Sequence, residues 1–358
     1  MIDINSLWRR KPDDVLGIDI SASAIKLVGL GGSTAKPVLE CCVKDALTEG
    51  VIVDGAIEKP AELSAALRLL VKNSGARTPN VAVALPSSAV ITKKLTIPAG
   101  LPDMEMELQV ESEAKQYIPF PLEEVSLDFC EIGPSAVTPG SVDVLMAAAR
   151  RERVEALQDV LEAAGLKPVV VDVNSYATRL ALGRVIDLQA KATPGMLSVL
   201  FRLGATVTTM QVLRGQDLVY EREQSVGGNQ LTQKIAQHYG LSIADAESKK
   251  CKGSLAHDYE ARLLIPYVDN LVQELVRALQ FFFNSSQYNK VNQVLLAGGS
   301  ALLPGLSLAV ASRVQVPCIV VNPFEGMVLG AKLDRTRVLK EAPMYLGACG
   351  LALRRLLR

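Results

Sequence analysis

The chain has 358 residues, 49% of them hydrophobic, and its 38 Lys plus Arg balance 38 Asp plus Glu. That length exceeds one ordinary core and predicts at least two domains or lobes, while zero net charge and 4% aromatic content argue against a nucleic-acid partner. Six cysteines without a CxxC pair read as buried thiols of a reducing compartment, and two histidines, His238 and His257, leave no basis for histidine-rich metal chemistry.

The elements follow in chain order. Residues 1–14, MIDINSLWRRKPDD, lack the apolar stretch of a signal peptide, and no apolar run reaches the roughly 18 residues of a membrane span, so a soluble cytoplasmic α/β protein is expected. GIDISASAIKLVGL (Gly17–Leu30) reads as an apolar strand, a small-residue turn and a second apolar strand, followed by a strand-like run at Val38–Lys44. Ala61–Lys72 reads as an amphipathic helix with Leu63, Leu67, Leu70 and Val71 on one face, and NVAVALP from Asn80 as a buried strand. A region with its own rhythm comes next. Ala89–Ile97 is predicted as a strand, and Pro102–Ile118 as a helix with Met106, Val110, Ala114 and Tyr117 on one face, ended by Pro119. Val125–Ile132 and Val142–Ala149 read as strands, and Arg151–Ala164 as a helix with Val154, Leu157, Leu161 and Ala164 inward and Gly165 as its stop. Strand, helix, two strands and helix make a small α+β insert.

KPVVVDVNSYATRLAL returns to the main body as strand then helix. LSVLFRLGATVTTM (Leu197–Met210) is again strand, small turn and strand, followed by Leu218–Arg222. GGNQLTQKIAQHYG predicts a helix with Leu231, Ile235 and Tyr239 on one face and Gly240 as a stop; Ser242 caps the next, Ile243–Lys250, with Asp245 in the capping-box position. Ala261–Phe283 is a long helix, VNQVLLAGGSALLPGL a buried strand with a double-glycine turn, and Met344–Leu357 a last helix ending in Arg354, Arg355 and Arg358.

The two hairpins align. Asp19 falls on Arg202, Ser21 on Gly204, Ala22 on Ala205 and Ser23 on Thr206, which suggests a duplicated α/β unit, although two unrelated hairpins fit the same pattern. Tight small-residue turns present backbone N–H groups that bind phosphate oxygens. Ser21 and Ser23 add hydroxyls and Lys26 a point charge; Asp19 can hold Mg²⁺ through water. Gly227-Gly228 opens a helix, the usual place for an anion, and Gly298 and Gly299 let backbone lie against a flat ring.

At these residues the sequence resembles the actin-like ATPases, the fold shared by actin, Hsp70, sugar kinases and FtsA, and within them the PilM family of type IV pilus assembly proteins. LGIDISASAIKLVGL is similar to a first phosphate loop. SVGGNQLTQKIA with AESKK resembles the nucleotide-base segment, and LLAGGSALLPGL the adenosine loop. EAKQYIPFPLEEVSLDF and ACGLALRRLL resemble PilM in particular. The resemblance implies an α/β, actin-like (Hsp70/actin ATPase) two-lobed fold with an FtsA-type 1C insert. It divides the chain into an N-terminal segment 1–14, lobe 1 (1A) at 15–85 and 166–194, and the insert (1C) at 86–165. Lobe 2 (2A) would take 195–225 and 291–343, subdomain 2B 226–290, and a helix at 344–358 would pack on lobe 1.

It further implies ATP as ligand, with Mg²⁺ on Asp19, and a cofactor site of Asp19, Ser21, Ser23, Lys26, Gly204, Ala205, Thr206, Gly228, Asn229, Glu247, Lys250, Gly298, Gly299 and Ser300. Two departures stand out: Arg202 occupies the place of an expected metal-holding Asp, and Asn174, after the VDV strand, that of an expected Glu. Asn is no general base. An Arg about 5 Å from Mg²⁺ costs roughly 7 kcal/mol at an effective dielectric of ~20, before phosphate compensates. ATP binding with impaired hydrolysis is therefore expected, unless Arg202 turns to solvent and weak catalysis survives.

The implied partners are the N-terminal peptide of PilN, read by Tyr117, Pro119, Phe120 and Pro121 in an acidic-rimmed apolar groove, and the pilus motor ATPases. A homo-oligomer and a membrane reached only through PilN complete the expectation. Tyr117–Pro121 fits a packed connector equally well, and Glu105, Glu107, Glu111 and Glu113 read as a solvated face. His238 and Tyr239 read as structural, and the terminal arginines as part of a packing helix. The alternative in a different class is an active, polymerising FtsA-like ATPase.

Overall fold

The computed structural model describes residues 14–189 and 195–356. They form two compact units. Unit 1 takes the chain up to Leu27, then Val43–Ala177, and again from Arg354; unit 2 takes Val28–Cys42 and Thr178–Leu353.

Unit 1 opens on β1 (Leu16–Ile20), turns at Ser21–Ser23 and returns as β2 (Ala24–Gly32); β3 (Pro37–Ala46) follows, and both β2 and β3 run across the unit boundary. A two-residue ladder, β4 (Ile52–Val53) with β5 (Ala56–Ile57), precedes helix α1 (Pro60–Ser74). Proline near its first turn and Gly75 at φ 68° bound that helix, as the missing donor and the left-handed cap require. Its Leu63, Leu67 and Leu70 are buried at helical spacing. Strand β6 (Asn80–Leu85) pairs in parallel with β1, Leu16 opposite Val81.

The insert has its own three-stranded antiparallel sheet and core. Strand β7 (Val90–Pro98) leads to helix α2 (Asp103–Ala114), then to β8 (Val125–Pro134) and β9 (Ser141–Arg150), with β9 in the middle. Leu95, Ile97, Met106, Val110, Ala114, Val144 and Met146 pack between helix and sheet. Burying each large side chain of this kind contributes about 1.5–3 kcal/mol. Helix α2 is shorter than the sequence predicts. Tyr117 and Ile118 both donate to the Ala114 carbonyl, closing the helix, because the residue before Pro119 is pushed out of helical backbone. Tyr117 therefore leaves the apolar face and is exposed. Helix α3 (Arg151–Ala163) ends as predicted: Gly165 has φ 80°, and Leu166 N donates to Leu161 O at 2.9 Å. Strand β10 (Lys167–Val173) then pairs in parallel with β6.

Helix α4 (Asn174–Asp187) carries the chain into unit 2. There β11 (Leu197–Leu203), β12 (Thr208–Arg214) and β13 (Asp217–Gln224) form an antiparallel meander. Helices α5 (Asn229–Tyr239), α6 (Ile243–Lys252) and α7 (Ile265–Ser285) follow. Gly240 caps α5 at φ 63°, and Ser242 Oγ accepts from Asp245 N at 3.1 Å to start α6, both as predicted. A π-helical turn, Glu260–Leu264, leads into α7, which buries Tyr267, Val268, Leu271, Val272, Leu275, Ala278, Leu279 and Phe282 on one stripe. Strand β14 (Gln293–Ala297) pairs in parallel with β11 and is wholly buried, as an inner parallel strand must be. After α8 (Leu306–Val314), β15 (Cys318–Val320) closes a sheet of order β13-β12-β11-β14-β15. Strand β16 (Val328–Leu329) pairs with β3, Val328 opposite Val38. Helix α9 (Arg335–Glu341) and helix α10 (Leu346–Leu353) complete unit 2. The predicted terminal helix is thus interrupted: 3₁₀ turns at Ala342–Tyr345 and Arg354–Leu356 flank α10. Leu357 and Arg358 lie outside the described residues, as do residues 1–13.

Candidate functional site

In unit 2 three loops converge at the mouths of β11 and β14. The Gly204–Thr206 turn is closed by Gly204 N donating to Val207 O at 3.0 Å. Gly228 N and Asn229 N donate to Gly204 O (3.0 Å) and Ala205 O (2.8 Å), pinning the start of α5 to that turn. These amides serve the loop framework instead of standing free for an anion. From the third loop, Ser300 Oγ lies 3.5 Å from Gly204 O. Glycine is required where the loops touch. Gly298 has φ 88°, and a Cβ there would sit 2.3 Å from Leu203 O; at Gly227 a Cβ would meet Ala205 O at 2.4 Å.

A charged cluster packs against this framework. Lys250 Nζ donates to Glu247 Oε2 (2.6 Å), Thr232 Oγ1 (2.7 Å) and Gly228 O (3.3 Å), and the Thr232 hydroxyl donates to Glu247. Burial pushes the Glu247 carboxyl up, but the hydrogen bonds from Lys250 and Thr232 and the lysine charge outweigh it, and the group is held below its ordinary value. The sequence reading named Glu247 and Lys250 and missed Thr232. Its signal was positional: it lies one helical turn after Gly228.

In unit 1 the matching turn is built the same way. Ser21 N donates to Ala24 O at 3.0 Å, and Ser21 Oγ donates to the same carbonyl at 2.8 Å. Lys26 Nζ lies 3.3 Å from both Asp19 Oδ2 and Ser21 Oγ. The Asp19 and Lys26 side chains are only 5% and 14% exposed, so this ion pair is sheltered. Ser23 is exposed. Asn174 is the first residue of α4, and Asp172, two residues earlier, is taken by Arg354 Nε at 2.6 Å.

Unit 1 also holds a cleft of about 610 Å³ at the end of α2, lined by Glu111, Lys115, Ile118, Phe120, Pro121, Leu122 and Glu123. The Arg150 guanidinium covers the Phe120 ring at 4.1 Å, and Lys93 covers the Tyr117 ring at 4.7 Å. One wall is apolar and two rim carboxylates, Glu111 and Glu123, face water.

The family model of the type IV pilus assembly protein PilM matches residues 17–356. The chain belongs to the PilM family. It is 32% identical to a chain of the PilM–PilN type IV pilus biogenesis complex, over 98% of this chain and 100% of that one, with a TM-score of 0.80. The ethanolamine utilization protein EutJ from Carboxydothermus hydrogenoformans is 17% identical over 98% of this chain and 94% of that one, with a TM-score of 0.57. The fold is the actin-like α/β fold expected from the sequence.

Within this PilM-family chain, Gly204, Ala205, Gly228, Asn229, Gly298 and Ser300 share one loop cluster, with Glu247 and Lys250 joined to it through Gly228 and Thr232. Thr206 and Gly299 lie in the same loops. Asp19, Ser21 and Lys26 form a second cluster in unit 1, with Ser23 in the same turn. Of the residues expected to read a partner, Phe120 and Pro121 line the cleft, while Tyr117 lies under Lys93 and is not part of the lining; Pro119 is exposed between them. Leu122 and Glu123 were passed over although they stand next in the same motif. His238 and Tyr239 both reach Asp258, at 3.5 Å and 2.8 Å, in keeping with a structural part. Among the described residues no group of three or more His, Cys, Asp or Glu could hold a metal ion by itself, and Asp19 lies 3.3 Å from the Lys26 ammonium.

Proposed function

We propose that this PilM-family chain is a nucleotide-binding scaffold of the type IV pilus assembly machine. Its insert, residues 86–165, captures the short apolar and basic N-terminal tail of a PilN partner in the cleft beside Phe120 and Pro121. That partner ties it to the cytoplasmic face of the inner membrane, and it passes nucleotide state on to the pilus motor ATPases. Among the described residues no helix is long and apolar enough to cross a membrane, which suits attachment through a partner. The observation that carries the reading is likeness to the chain of the PilM–PilN complex over 98% of this chain, together with a cleft that sets an apolar wall of Ile118, Phe120, Pro121 and Leu122 beside Glu111, Glu123 and Lys115. Two carboxylates against one ammonium favour a basic peptide by complementarity.

The loop cluster around Gly204, Gly228, Lys250 and Gly298 is the proposed seat of the adenosine end of ATP, and the Ser21–Ser23 and Gly204–Thr206 turns are the proposed phosphate turns. Hydrolysis is weak or absent, because Asn174 offers no base. The experiment is fluorescence polarisation of a labelled N-terminal PilN peptide from the same source. Phe120→Ala should weaken binding about tenfold or more, as loss of a buried aromatic anchor does. Equal affinity of wild type and variant would overturn the cleft as the docking site.

A further inference from the structure

We infer that Lys250 is a positioning residue for the Gly204–Thr206 turn, and that its charge reaches a phosphate bound there through two peptide groups in series. This rests on the nucleotide-binding reading above, and it moves the part of Lys250 from the adenosine to the phosphates. Every residue involved lies in unit 2. An ammonium has three N–H donors. Those of Lys250 go to Glu247 Oε2 (2.6 Å), Thr232 Oγ1 (2.7 Å) and Gly228 O (3.3 Å), and the side chain is only 14% exposed. All three donors are spent inside the protein, so Lys250 acts on a ligand through its acceptors.

The Gly228 bond starts a relay. Among the described residues no peptide bond is cis, so the C=O and N–H of each peptide group point opposite ways. The peptide whose oxygen faces Lys250 joins Gly228 to Asn229, and its N–H, on Asn229, donates to Ala205 O at 2.8 Å. That oxygen belongs to the peptide joining Ala205 to Thr206, so the Thr206 N–H is turned away from α5. A parallel bond, Gly228 N to Gly204 O at 3.0 Å, turns the Ala205 N–H the same way. Among the described residues neither of these two amides donates to a backbone carbonyl, and Thr206 is exposed. Adjacent outward N–H groups of this kind form a seat for an anion. The polarity is consistent from end to end: the cation meets the oxygen of the first peptide, and the hydrogen of the second faces the anion. Hydrogen bonds in series polarise one another, so a sheltered cation at the far end strengthens the last donor.

The test is calorimetric titration of the full-length protein with ATP, and with adenosine by its displacement of ATP, for wild type, Lys250→Met and Lys250→Arg. Lys250→Met should weaken ATP about tenfold or more and adenosine less than about threefold, and Lys250→Arg, which keeps the charge, should recover most of the ATP affinity. Equal losses for the two ligands would make Lys250 a direct contact of the adenosine, overturning the relay while nucleotide binding stands. The relay is also read without nucleotide, by amide hydrogen exchange. Asn229 should exchange about tenfold faster in Lys250→Met than in wild type, with the amides of β11 and β14 unchanged. If those strands loosen too, Lys250→Gln takes the place of Lys250→Met. An Asn229 amide that exchanges as in wild type overturns the relay. Absence of ATP binding by wild type overturns nucleotide binding itself, and the phosphate role of Lys250 with it.

Discussion

Arg354 Nε lies 2.6 Å from Asp172 Oδ2, in an ion pair whose side chains are 19% and 8% exposed and whose residues stand 182 positions apart. Removing one partner of such a sheltered pair leaves the other charge without compensation. Arg354→Ala should cost about 3 kcal/mol of stability, read from urea denaturation, and Asp172→Asn about as much. The double variant should cost less than the sum of the two; additive losses would show that the pair is not coupled.

Gly298 predicts a separation of functions. With φ at 88° and a Cβ position 2.3 Å from Leu203 O, Gly298→Ala must displace backbone. The loop should lose its nucleotide, with a stability cost of about 2 kcal/mol or more. PilN-peptide binding in unit 1 should persist. Loss of both activities together would mean that the substitution unfolds the whole chain.

Glu247 predicts a pH dependence. Its folded-state value is depressed, chiefly because Lys250 and Thr232 overcome the opposing effect of burial. A depressed carboxyl gives stability that is fully present above its unfolded value, near 4.5, and is lost as pH falls through the lower folded value. The stability difference between wild type and Glu247→Gln should thus be constant above about pH 5.5 and shrink below about pH 4.5. A difference that stays flat from neutral pH to pH 3.5 would remove the Lys250–Thr232–Glu247 cluster from the account.

Asn174 predicts a negative result. If it activates no water, Asn174→Ala should leave phosphate release from ATP within about twofold of wild type. A tenfold fall in the steady-state rate would show that Asn174 takes part in hydrolysis.

Local chemistry was legible in the sequence. The Ser242 cap and the Gly165 and Gly240 stops each depend on neighbours a few residues away, and each formed as its residues dictate. The two aligned turns share the same closing hydrogen bond. Competition between local rules was harder to read: helical periodicity carried the α2 pattern on to Tyr117, but Pro119 ended it earlier. Distant pairings left no trace in the sequence. Nothing near Arg354 marks Asp172 as its partner, and nothing near Gly228 shows that its N–H is spent on Gly204. Two of the terminal arginines, Arg354 and Arg355, form ion pairs that the sequence does not mark: Arg355 Nη2 is 3.2 Å from Asp14 Oδ1.

Those two terminal ion pairs bear on how the chain is made. Asp14, β1 and β10 leave the ribosome long before Arg354 and Arg355, while unit 2 is drawn largely from one continuous stretch, Thr178–Leu353. Unit 1 has all but its last few residues in hand before most of unit 2 is made. Unit 1, the unit proposed to greet the membrane partner, is fastened by Arg354 and Arg355, which follow the whole of unit 2 in the chain. The Arg354–Asp172 contact spans 182 positions, which slows its closure. A chain cut after Leu353 should accordingly expose unit 1 to protease while unit 2, whose sequence it keeps whole, resists.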